Sequence, residues 1–572
     1  MNDANIKTYN FSSLGIDTLG LEDKETNWPV VYQIYDHSSI YIGETTNLKS
    51  RMLQHSKNEK KVQLNRFSVI FNETYNKSVA LDLESQLIQW FSGDGKFTML
   101  NKNDGIADRE YYNRQEYRKH FEDTWGQLLR LGIAHKTIPE IENSGLFKFS
   151  PYKRLNESQI DAVNNVLTDL DEAFKYNQKS ISVIGGSEGT GKTILIMYLV
   201  KLIRDLQDHN PTTHEEEVTD QSFDLFFKEP FNNRFKNKSL ALVIPSPSLK
   251  GSISKIFKGI ANMQNSVDVL SPIEFGSNGK TYDITFVDEA HLLKASNQEV
   301  HKANRERVDE INNTLFNDTA AHTEIDWIIK KSRNVVMVFG DQRVRPNHIT
   351  MQDIGRYQFR EHILRSQMRS KGGELYIDYL REIMNNRPPE KKQYFENFEF
   401  KLYEDFAKFV AAIKDKNSEV GLSRLVAGFA WDWKSKRDKN YYDIKINGIN
   451  LKWNSTLSDW VGSPNSVNEV GSIYTIQGYD LNYCGVIVGN DIKYDPATRK
   501  IILNRQNYFD RGAKKRNKQQ LESNIKLTDD ELLDQVLRTY RILMNRSIQG
   551  TYVYVCDPNL RQYLRQFIEV IT

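Results

Sequence analysis

The chain has 572 residues, too many for one hydrophobic core, and this length predicts several domains. Hydrophobic residues make up 39% of it and charged residues 27%, proportions that exclude a disordered protein. The 77 Lys and Arg nearly balance the 75 Asp and Glu, for a formal net charge of +2. Affinity for nucleic acid would therefore have to come from local basic patches rather than from the overall field.

Two further features limit the class of protein. Only two cysteines occur, Cys484 and Cys556, without a CxxC pair, which excludes a disulfide framework and a zinc site built mainly from thiolates. The N-terminus has no basic segment followed by an apolar run, and no stretch of about 18 apolar residues occurs. We therefore expect a cytoplasmic protein that is not anchored in a membrane.

Residues 30–43 follow a pattern that predicts a β-hairpin. Two strands, VVYQIY and IYIG, flank the polar turn DHSS. A four-residue loop then sets three cross-strand pairs, namely Tyr35 with Ile40, Ile34 with Tyr41, and Tyr32 with Gly43. Because diagonal neighbours on one face of a hairpin lie within reach of each other, Tyr32 and Tyr41 would frame a single reactive group.

Two predicted helices follow the hairpin. Candidate N-caps at 45–47 precede LKSRMLQHSK, in which Arg51 and His55 are four residues apart and share a face. In the second helix, SVALDLESQLIQWF, Glu84 lies at helical spacing among apolar residues, which are Ala80, Leu87, Ile88 and Phe91. A carboxylate on such a stripe needs a partner, which is either a divalent metal or an Arg or Lys side chain.

The composition changes near residue 150. From about 106 to 148 the chain is rich in Tyr, Arg and Glu and predicts connecting helices, and FKFSPYKRL marks a boundary. Beyond it, apolar strands such as ISVIGG, LALVIP, DITFVDEA and NVVMVFGD alternate with helices, as in a parallel sheet covered by helices. The strands YCGVIVGN and TYVYVCD predict a second α/β domain, and the polar stretches 207–238 and 493–530 predict surface insertions.

The segment Gly186-Ser-Glu-Gly189-Thr-Gly191-Lys192-Thr193 follows an apolar strand and opens an apolar helix, the context of a phosphate-binding loop. Its glycines let backbone N–H groups surround the phosphates. Lys192 would reach the outer phosphates, and the Thr193 hydroxyl would bind magnesium at a helix N-terminus. The alternative is a Gly-rich turn without a ligand.

A carboxylate pair follows a later strand of the same predicted sheet. The strand ITFV ends in Asp288-Glu289-Ala290-His291. Asp288 is expected to hold magnesium through water, and Glu289 to orient or deprotonate the attacking water. A surface charge cluster is the alternative. ATP and Mg²⁺ (or Mn²⁺) are therefore the predicted cofactors.

From about 150 to 572 the chain resembles the superfamily 1 helicases, most closely a bacterial helicase-like family related to the helicase part of Schlafen proteins. The resemblance implies two RecA-like domains with ATP in the cleft and a single strand across the top. It rests on an ordered series of motifs: LNESQIDAV with Gln159, FGDQRV with Asp341 and Gln342, LRSQMRS with Gln367 and Arg369, SRLVAGFAWDWKSK, EVGSIYTIQGYDLNY with Thr475 and the cofactor-binding residues Gln477 and Gly478, and RTYRILMNRSIQGTYVYV with Arg546.

The resemblance implies roles for these positions. Gln159 would read adenine, unless it only starts a capped helix. Asp341 and Gln342 would couple the γ-phosphate to nucleic acid, although the glutamine of the superfamily falls later after the aspartate. Arg369 and Arg546 would deliver positive charge to the γ-phosphate, with Arg546 as the arginine finger. Each arginine considered alone is more typical of a surface salt bridge.

A bound single strand requires a basic groove with stacking aromatic rings. Trp431, Trp433 and Tyr474 are candidates for stacking, with core packing as the alternative for each. The run RGAKKRNK at 511–518 holds five cations in eight residues, and it either grips phosphates or forms a solvated loop.

Residues 28–105 resemble a GIY-YIG nuclease. VVY stands for the first tripeptide and YIG is intact, although Val30 replaces the first glycine. The other family positions follow in order, at Arg51, His55, Glu84 and Asn101.

The GIY-YIG resemblance implies a division of labour among five residues. Glu84 would hold one magnesium ion and Tyr32 would help to activate water. Tyr41 and His55 would assist positioning or proton transfer, and Arg51 would stabilise the pentavalent phosphate.

We therefore predict an α/β chain with a small α+β GIY-YIG-like nuclease domain at 28–105 and a helical connector at 106–149. Two RecA-like parallel-sheet domains follow at 150–355 and 356–572. The predicted function is that of an ATP-dependent nuclease-helicase acting on single- or double-stranded DNA, which suits defence against foreign DNA. Two alternatives stay open: an RNA-directed nuclease-ATPase acting on tRNA or mRNA, and an ATP-gated nucleic-acid-binding switch that does not cut. The sequence predicts no oligomeric state.

Overall fold

The computed structural model describes residues 4–19, 27–58, 61–101, 111–187, 189–209, 223–295, 302–317, 322–340, 348–365, 370–456, 460–476, 478–510 and 528–572. The chain divides into two compact units. The first comprises Met1–Asp171, Ile194–Lys238 and Ile253–Val267, and the second comprises Glu172–Thr193, Ser239–Ser252 and Asp268–Thr572.

The first unit contains a five-stranded, mostly antiparallel sheet. Its strands are β1 (Asn5–Asn10), β2 (Val30–Tyr35), β3 (Ser39–Thr45), β4 (Arg66–Phe71) and β5 (Thr98–Met99). They lie in the order β1-β4-β2-β3-β5. The predicted hairpin register is confirmed, since Tyr35 pairs with Ile40, Ile34 with Tyr41, and Tyr32 with Gly43. Strand β1, upstream of the predicted domain start at residue 28, completes the sheet by pairing with β4.

The described residues of this part of the chain contain six helices. They are α1 (Ser13–Asp17), α2 (Leu48–His55), α3 (Lys77–Asp94), α4 (Arg114–Arg130), α5 (Ile138–Glu142) and α6 (Gly145–Lys148). Asn47 caps α2, because its side chain accepts the backbone N–H of Ser50. Helices α4 to α6 lie within 106–149, where the sequence predicts connecting helices, and the predicted domain boundaries stay predictions.

Five more helices follow before residue 260. Three of them contribute residues to both units: α7 (Glu157–Lys175), α8 (Lys192–Asp208) and α11 (Pro247–Lys258). The other two are the short helices α9 (Asp224–Phe227) and α10 (Phe231–Phe235). They lie in the predicted insertion 207–238, of which 210–222 fall outside the described residues.

The second unit contains a six-stranded parallel sheet, as predicted for the segment that carries the phosphate-binding loop. Its strands are β6 (Ser180–Gly186), β7 (Leu240–Val243), β8 (Asp268–Leu270), β9 (Tyr282–Val287), β10 (Ser332–Gly340) and β11 (Arg360–Leu364). Their order is β11-β6-β10-β9-β7-β8. Strand β11 pairs with β6 and lies downstream of residue 355, the predicted end of this domain.

Between β8 and β11 the chain forms the helices α12 (Pro272–Ser277), α13 (Lys302–Phe316), α14 (Glu324–Lys331) and α15 (Met351–Ile354), and a 3₁₀ turn spans Ala290–Leu292. The sheet and its helices share one core, to which alternate apolar residues such as Val183, Val287 and Met337 contribute. Strands with such continuous apolar runs are buried on both faces, as parallel strands are.

A second large sheet in the same unit has eight strands, all parallel to their neighbours except the β14–β15 hairpin. The strands, in spatial order, are β14 (Ile444–Ile446), β15 (Ile449–Trp453), β16 (Glu469–Gly471), β13 (Ser423–Ala427), β17 (Leu481–Val488), β20 (Ser547–Val555), β12 (Glu399–Tyr403) and β21 (Glu569–Ile571). The predicted fold class, a small α+β domain followed by two parallel-sheet α/β domains, is confirmed.

Among the described residues, the helices that accompany this sheet are α16 (Gly373–Met384), α17 (Phe406–Val420), α18 (Ile473–Ile476), α19 (Asp529–Met544) and α20 (Pro558–Leu564). Two 3₁₀ turns span Pro464–Asn468 and Arg505–Asn507. Within the predicted insertion, β18 (Ile492–Asp495) and β19 (Lys500–Leu503) form a separate hairpin. The basic run 511–518 falls outside the described residues. No helix in the described part of the chain is long and apolar enough to span a membrane.

A buried carboxyl lies just beyond β17. Oδ1 of Asp491 accepts a hydrogen bond from the Tyr540 hydroxyl at 2.7 Å, and burial raises the pKa of Asp491 to about 7. A group whose pKa is higher in the folded chain than in the unfolded one contributes stability below its unfolded pKa. That stability is lost as pH rises through the folded pKa.

We expect Asp491→Asn to reduce the loss of stability between about pH 4 and about pH 7, because an amide does not ionise in this window. The measurement is the urea midpoint of unfolding, followed by tryptophan fluorescence, across that range. Asp415→Asn, at an exposed position of α17, is the matched control. If Asp491→Asn and the wild type lost stability in parallel, the buried carboxyl would not be the titrating group.

Candidate active sites

Four of the predicted nuclease residues meet around one hydroxyl group. The Tyr32 hydroxyl lies 2.8 Å from Nε2 of His55, and it accepts a hydrogen bond from Nε of Arg51 at 3.2 Å. The Tyr41 ring centroid lies 6.3 Å from that of Tyr32 and 5.0 Å from that of His55. Tyr32, Tyr41 and His55 are buried, and Arg51 is half-buried. The hairpin therefore brings its two tyrosines against the face of α2 that carries Arg51 and His55.

Gly43 makes this arrangement sterically possible. It pairs with Tyr32 across the hairpin, and a Cβ at this position would lie 2.3 Å from the Tyr32 hydroxyl oxygen. Such a contact is far inside van der Waals distance, so any larger residue would displace the phenol. The glycine of the YIG tripeptide therefore leaves the space that the Tyr32 hydroxyl occupies.

Lys61 is a member of this cluster that the sequence did not indicate. Its side chain is buried, and its Nζ lies 3.1 Å from Nδ1 of His55 and 3.5 Å from the centroid of the Tyr41 ring. An ammonium group has only donors, so Nδ1 of His55 accepts this bond and Nε2 carries the hydrogen. His55 thus donates to the Tyr32 hydroxyl, which receives a second donor from Arg51. Two such donors stabilise negative charge on the oxygen.

No periodic signal pointed to Lys61. It falls in the run KNEKK, where a solvated charged loop is the ordinary interpretation of the sequence. Its distance from His55 depends on how the turn after α2 folds back onto the hairpin, which is a tertiary feature.

Glu84 lies on α3, which packs against β2 and β3. It is half-buried, whereas Ala80 and Leu87 on the same stripe are fully buried. The described residues contain no group of three or more His, Cys, Asp and Glu that could hold a metal ion. Magnesium nevertheless fits a single carboxylate, because it usually keeps several waters and completes its shell with substrate phosphates.

The phosphate-binding loop connects β6 to α8. Gly189 and Gly191 have φ angles of 84° and 78°, which glycine adopts without a Cβ penalty. Nζ of Lys192, at the start of α8, donates to the carbonyl oxygens of Gly186 and Ser187 at 2.8 and 2.7 Å. The ammonium group is thus held inside the curve of the loop, where phosphate oxygens are bound in such loops.

Asp288 faces this loop from the end of β9. The Thr193 hydroxyl donates to Oδ1 of Asp288 at 3.3 Å, and in the described part of the chain Oδ2 is buried without a hydrogen-bond partner. Burial, together with the charge of Glu289, raises the pKa of Asp288 to about 7 against the opposing effects of Thr193 and Lys192. A hydroxyl beside a carboxylate oxygen that lacks a donor suits a hydrated magnesium ion.

Glu289 and His291 connect the carboxylate pair to the neighbouring strand. Glu289 has a φ of 50°, an uncommon left-handed conformation that concentrates at functional sites. The backbone N–H of Gly340, at the end of β10, donates to Nδ1 of His291 at 3.2 Å, so Nε2 is the donor that faces Oε2 of Glu289 at 3.4 Å. The position of Glu289 therefore depends on the end of β10.

Five predicted residues of the helicase motifs lie outside the described residues, namely Asp341, Gln342, Gln367, Arg369 and Gln477. Gln159 is buried at the start of α7, where its Oε1 accepts the backbone N–H of Asn156 at 3.1 Å. This contact is the helix cap that the sequence left open as an alternative. The role of Gln159 in reading adenine stays a prediction.

Arg546 precedes β20 and is buried. Gly478 adopts a φ of 82° beside Leu249 of α11. In the same unit, the Tyr479 hydroxyl lies 2.7 Å from Oγ of Ser252, also on α11. The loop after α18 thus contacts a helix that follows β7 of the first parallel sheet.

The aromatic residues proposed for stacking have different surroundings. Trp431 and Trp433 pack partly buried against the core of the eight-stranded sheet, as the core-packing alternative predicts. The Tyr474 ring centroid lies 5.5 Å from that of Phe429, and its hydroxyl donates to Asp510 at 3.1 Å. Stacking on nucleic acid stays a prediction for all three.

Two family matches cover most of the chain. Residues 29–96 match the GIY-YIG catalytic domain, and residues 179–557 match the Schlafen group 3, DNA/RNA helicase domain. The uncharacterized protein YPL245W of Saccharomyces cerevisiae is 24% identical over 451 residues, which cover 72% of this chain and 89% of that protein. The crystal structure of DUF1998 helicase MrfA bound to DNA and AMPPNP aligns with 72% of this chain and 52% of its own, at 10% identity and a TM-score of 0.26.

Both predicted resemblances are confirmed by these matches. The second one alone spans more than half of the 572 residues. The chain belongs to the family defined by the Schlafen group 3 DNA/RNA helicase domain, and it carries a GIY-YIG catalytic domain N-terminal to that domain.

Proposed function

We propose that this protein is an ATP-dependent nuclease-helicase that acts on DNA. The observation that carries the proposal is the convergence of Arg51 and His55 on the Tyr32 hydroxyl. Two donors on the oxygen favour the phenolate form of Tyr32, and a phenolate can take a proton from a water molecule. The phosphate-binding loop on the same chain is the reason for proposing an ATP-driven motor.

In the proposed cleavage step, Tyr32 acts as a phenolate and takes the proton of the attacking water, directly or through one further water molecule, while the bond from phosphorus to the departing sugar oxygen breaks and that oxygen is protonated from solvent. The hydrogen bonds from His55 and Arg51 stabilise the phenolate before this transfer, and Arg51 also faces the phosphate as negative charge builds up in the transition state. Glu84 would hold the divalent metal, which would neutralise the scissile phosphate. Tyr41 and Lys61 keep the imidazole ring of His55 in place.

In the proposed motor, Lys192 leaves the carbonyls of Gly186 and Ser187 to bind the outer phosphates of ATP. Thr193 and Asp288 would hold the magnesium ion that accompanies the nucleotide, and Glu289 orients the attacking water. Because β6 and β9 both pair with β10 in a parallel sheet, these groups meet at one sheet edge. ATP hydrolysis then drives translocation or gates the cleavage step.

A second candidate substrate is RNA. The family description names DNA and RNA together, so the substrate class is open to test. Cleavage and ATPase stimulation should be compared for supercoiled plasmid, single-stranded DNA and tRNA at equal nucleotide concentration and fixed salt. We expect the largest effects with DNA, and a response confined to tRNA would overturn the DNA assignment.

A cytoplasmic role in defence against foreign DNA is the biological context that we propose, by analogy with other nuclease-motor chains. Plating efficiency of phage on cells that carry the wild type or Glu84→Gln tests it. Equal plating on both would remove this role without affecting the biochemical proposal.

We expect Glu84→Gln to reduce nicking of supercoiled plasmid in magnesium by at least about 100-fold, because an amide is a poor magnesium ligand. ATP hydrolysis should be unchanged. Glu122→Gln, at an exposed position of α4, should cut like the wild type. Full cleavage by Glu84→Gln would contradict cutting by this domain and would favour an ATP-gated binding switch.

We expect Lys192→Ala to lower DNA-stimulated ATP hydrolysis by at least about 100-fold, because Lys192 supplies positive charge to the outer phosphates. Phosphate release measured with and without DNA checks this. Lys258→Ala at the end of α11 is the control, since this lysine is exposed. Comparing plasmid cleavage by Lys192→Ala with and without ATP shows whether cleavage by the nuclease domain requires ATP hydrolysis by the motor.

We expect Lys61→Met to slow cleavage by about 10- to 100-fold and to change its pH profile, because His55 would no longer be held with its hydrogen on Nε2. Lys61→Arg should restore part of the rate, since arginine also has only donors. Lys57→Met, exposed after α2, should leave the profile unchanged. A slower rate with an unaltered pH profile would assign Lys61 a merely structural role.

A further inference from the structure

Asn101 holds the strand that carries Tyr41. The backbone N–H of Ile42 donates to Oδ1 of Asn101 at 3.1 Å, and Nδ2 of Asn101 donates to the carbonyl of Ile42 at 2.7 Å. Asn101 is only 3% exposed. Since Ile42 lies between Tyr41 and Gly43 of the YIG tripeptide, the position of Asn101 determines that of the strand at the candidate nuclease site.

Asn101 is in turn held by a lysine from α8. Its backbone carbonyl accepts hydrogen bonds from the Tyr152 hydroxyl at 3.1 Å and from Nζ of Lys201 at 3.3 Å. The Lys201 side chain is only 1% exposed. A lysine is almost never buried to this degree without a paired charge.

Asp205 supplies that charge one turn further along α8. Lys201 donates to both carboxylate oxygens of Asp205, at 2.5 and 2.7 Å, and the side-chain amide of Asn262 donates to Oδ1 of Asp205 at 2.7 Å. The desolvation cost of a buried ion pair offsets much of its attraction, so such a pair contributes little to stability. What it does provide is a unique position for the ammonium group that binds Asn101.

Backbone hydrogen bonds join the segment after α11, which also carries Asn262, to strand β5. The N–H of Met99, in β5, donates to the carbonyl of Gly259, and the N–H of Ala261 donates to the carbonyl of Met99, each at 3.4 Å. On its other side β5 pairs with β3, where Met99 lies opposite Ile40. The segment after α11 therefore extends the nuclease sheet by one bridge.

Helix α8 begins at Lys192 and reaches Lys201 without a break. With a rise of 1.5 Å per residue, the two Cα atoms are separated by about 13 Å along the axis. We propose that Lys201 is a positioning residue which transmits the nucleotide state of the phosphate-binding loop, through α8 and Asn101, to the strand of Tyr41. The inference rests on the proposed function for its effect on cleavage, but nucleotide binding alone suffices to test the connection.

The test is hydrogen exchange of the full chain with and without AMPPNP. In the wild type we expect the nucleotide to change exchange in peptides covering 39–45 as well as in the phosphate-binding loop. In Lys201→Met/Asp205→Leu, which removes both charges together, we expect the change at 39–45 to disappear and the change at the loop to remain. A double substitution is chosen because Lys201→Met alone would leave a buried carboxylate without its cation.

Two matched variants keep this test decisive. Gln207→Met removes a half-buried polar side chain of α8 that donates to the carbonyls of Phe235 and Lys238, and it should respond like the wild type. Lys201→Gln/Asp205→Asn keeps the size and polarity of the pair, and it replaces the apolar variant if that variant does not fold. We expect it to lose the response at 39–45 as well. A wild type without a response at 39–45, or a double variant with the full response, would overturn the proposal.

Cleavage provides the second measurement. We expect both double variants to hydrolyse ATP at the wild-type rate, while the ratio of cleavage with ATP to cleavage without ATP moves to one. If neither the wild type nor any variant cut a substrate, the proposed nuclease function would be wrong. The hydrogen-exchange result would still decide the role of Lys201. If the ratio stayed at its wild-type value, the link would not regulate cutting.

Discussion

Cross-strand register in the β2–β3 hairpin is the constraint on which the candidate nuclease site depends. Tyr32 stands opposite Gly43, and the missing side chain of Gly43 is the space that the Tyr32 hydroxyl occupies. A slip of one residue in this pairing would place Tyr41 on the face of the sheet opposite to Tyr32. All other members of the site, including His55 and Lys61, are arranged around the hydroxyl group that this register places.

The candidate ATP site depends on a different geometric rule. In a parallel sheet the carboxyl ends of all strands meet at one edge, so residues that are a hundred positions apart in sequence become neighbours. Thr193 after β6, Asp288 after β9 and Gly340 at the end of β10 meet in this way. Asp288 is buried at that edge, and burial together with the charge of Glu289 raises the pKa of its carboxyl.

The two candidate sites share one structural element. Helix α8 starts with Lys192 of the phosphate-binding loop and later presents Lys201 to the carbonyl of Asn101. A nuclease and a motor on one chain need a means of communication if the motor is to decide when cutting occurs. We propose that α8, with the buried pair of Lys201 and Asp205, serves as that means.

Much of this molecule follows from local sequence pattern. The two-residue period and the four-residue turn determined the hairpin register, and the glycine and apolar pattern around Lys192 determined a strand, a loop and a helix in that order. Local chemistry sets such features, because they involve residues close together in the chain. Only the tertiary structure placed Lys61 on His55, Lys201 on Asn101 and Gly340 on His291. These contacts join segments whose approach is decided by packing, and a charged residue in a polar run carries no local sign that it will be buried.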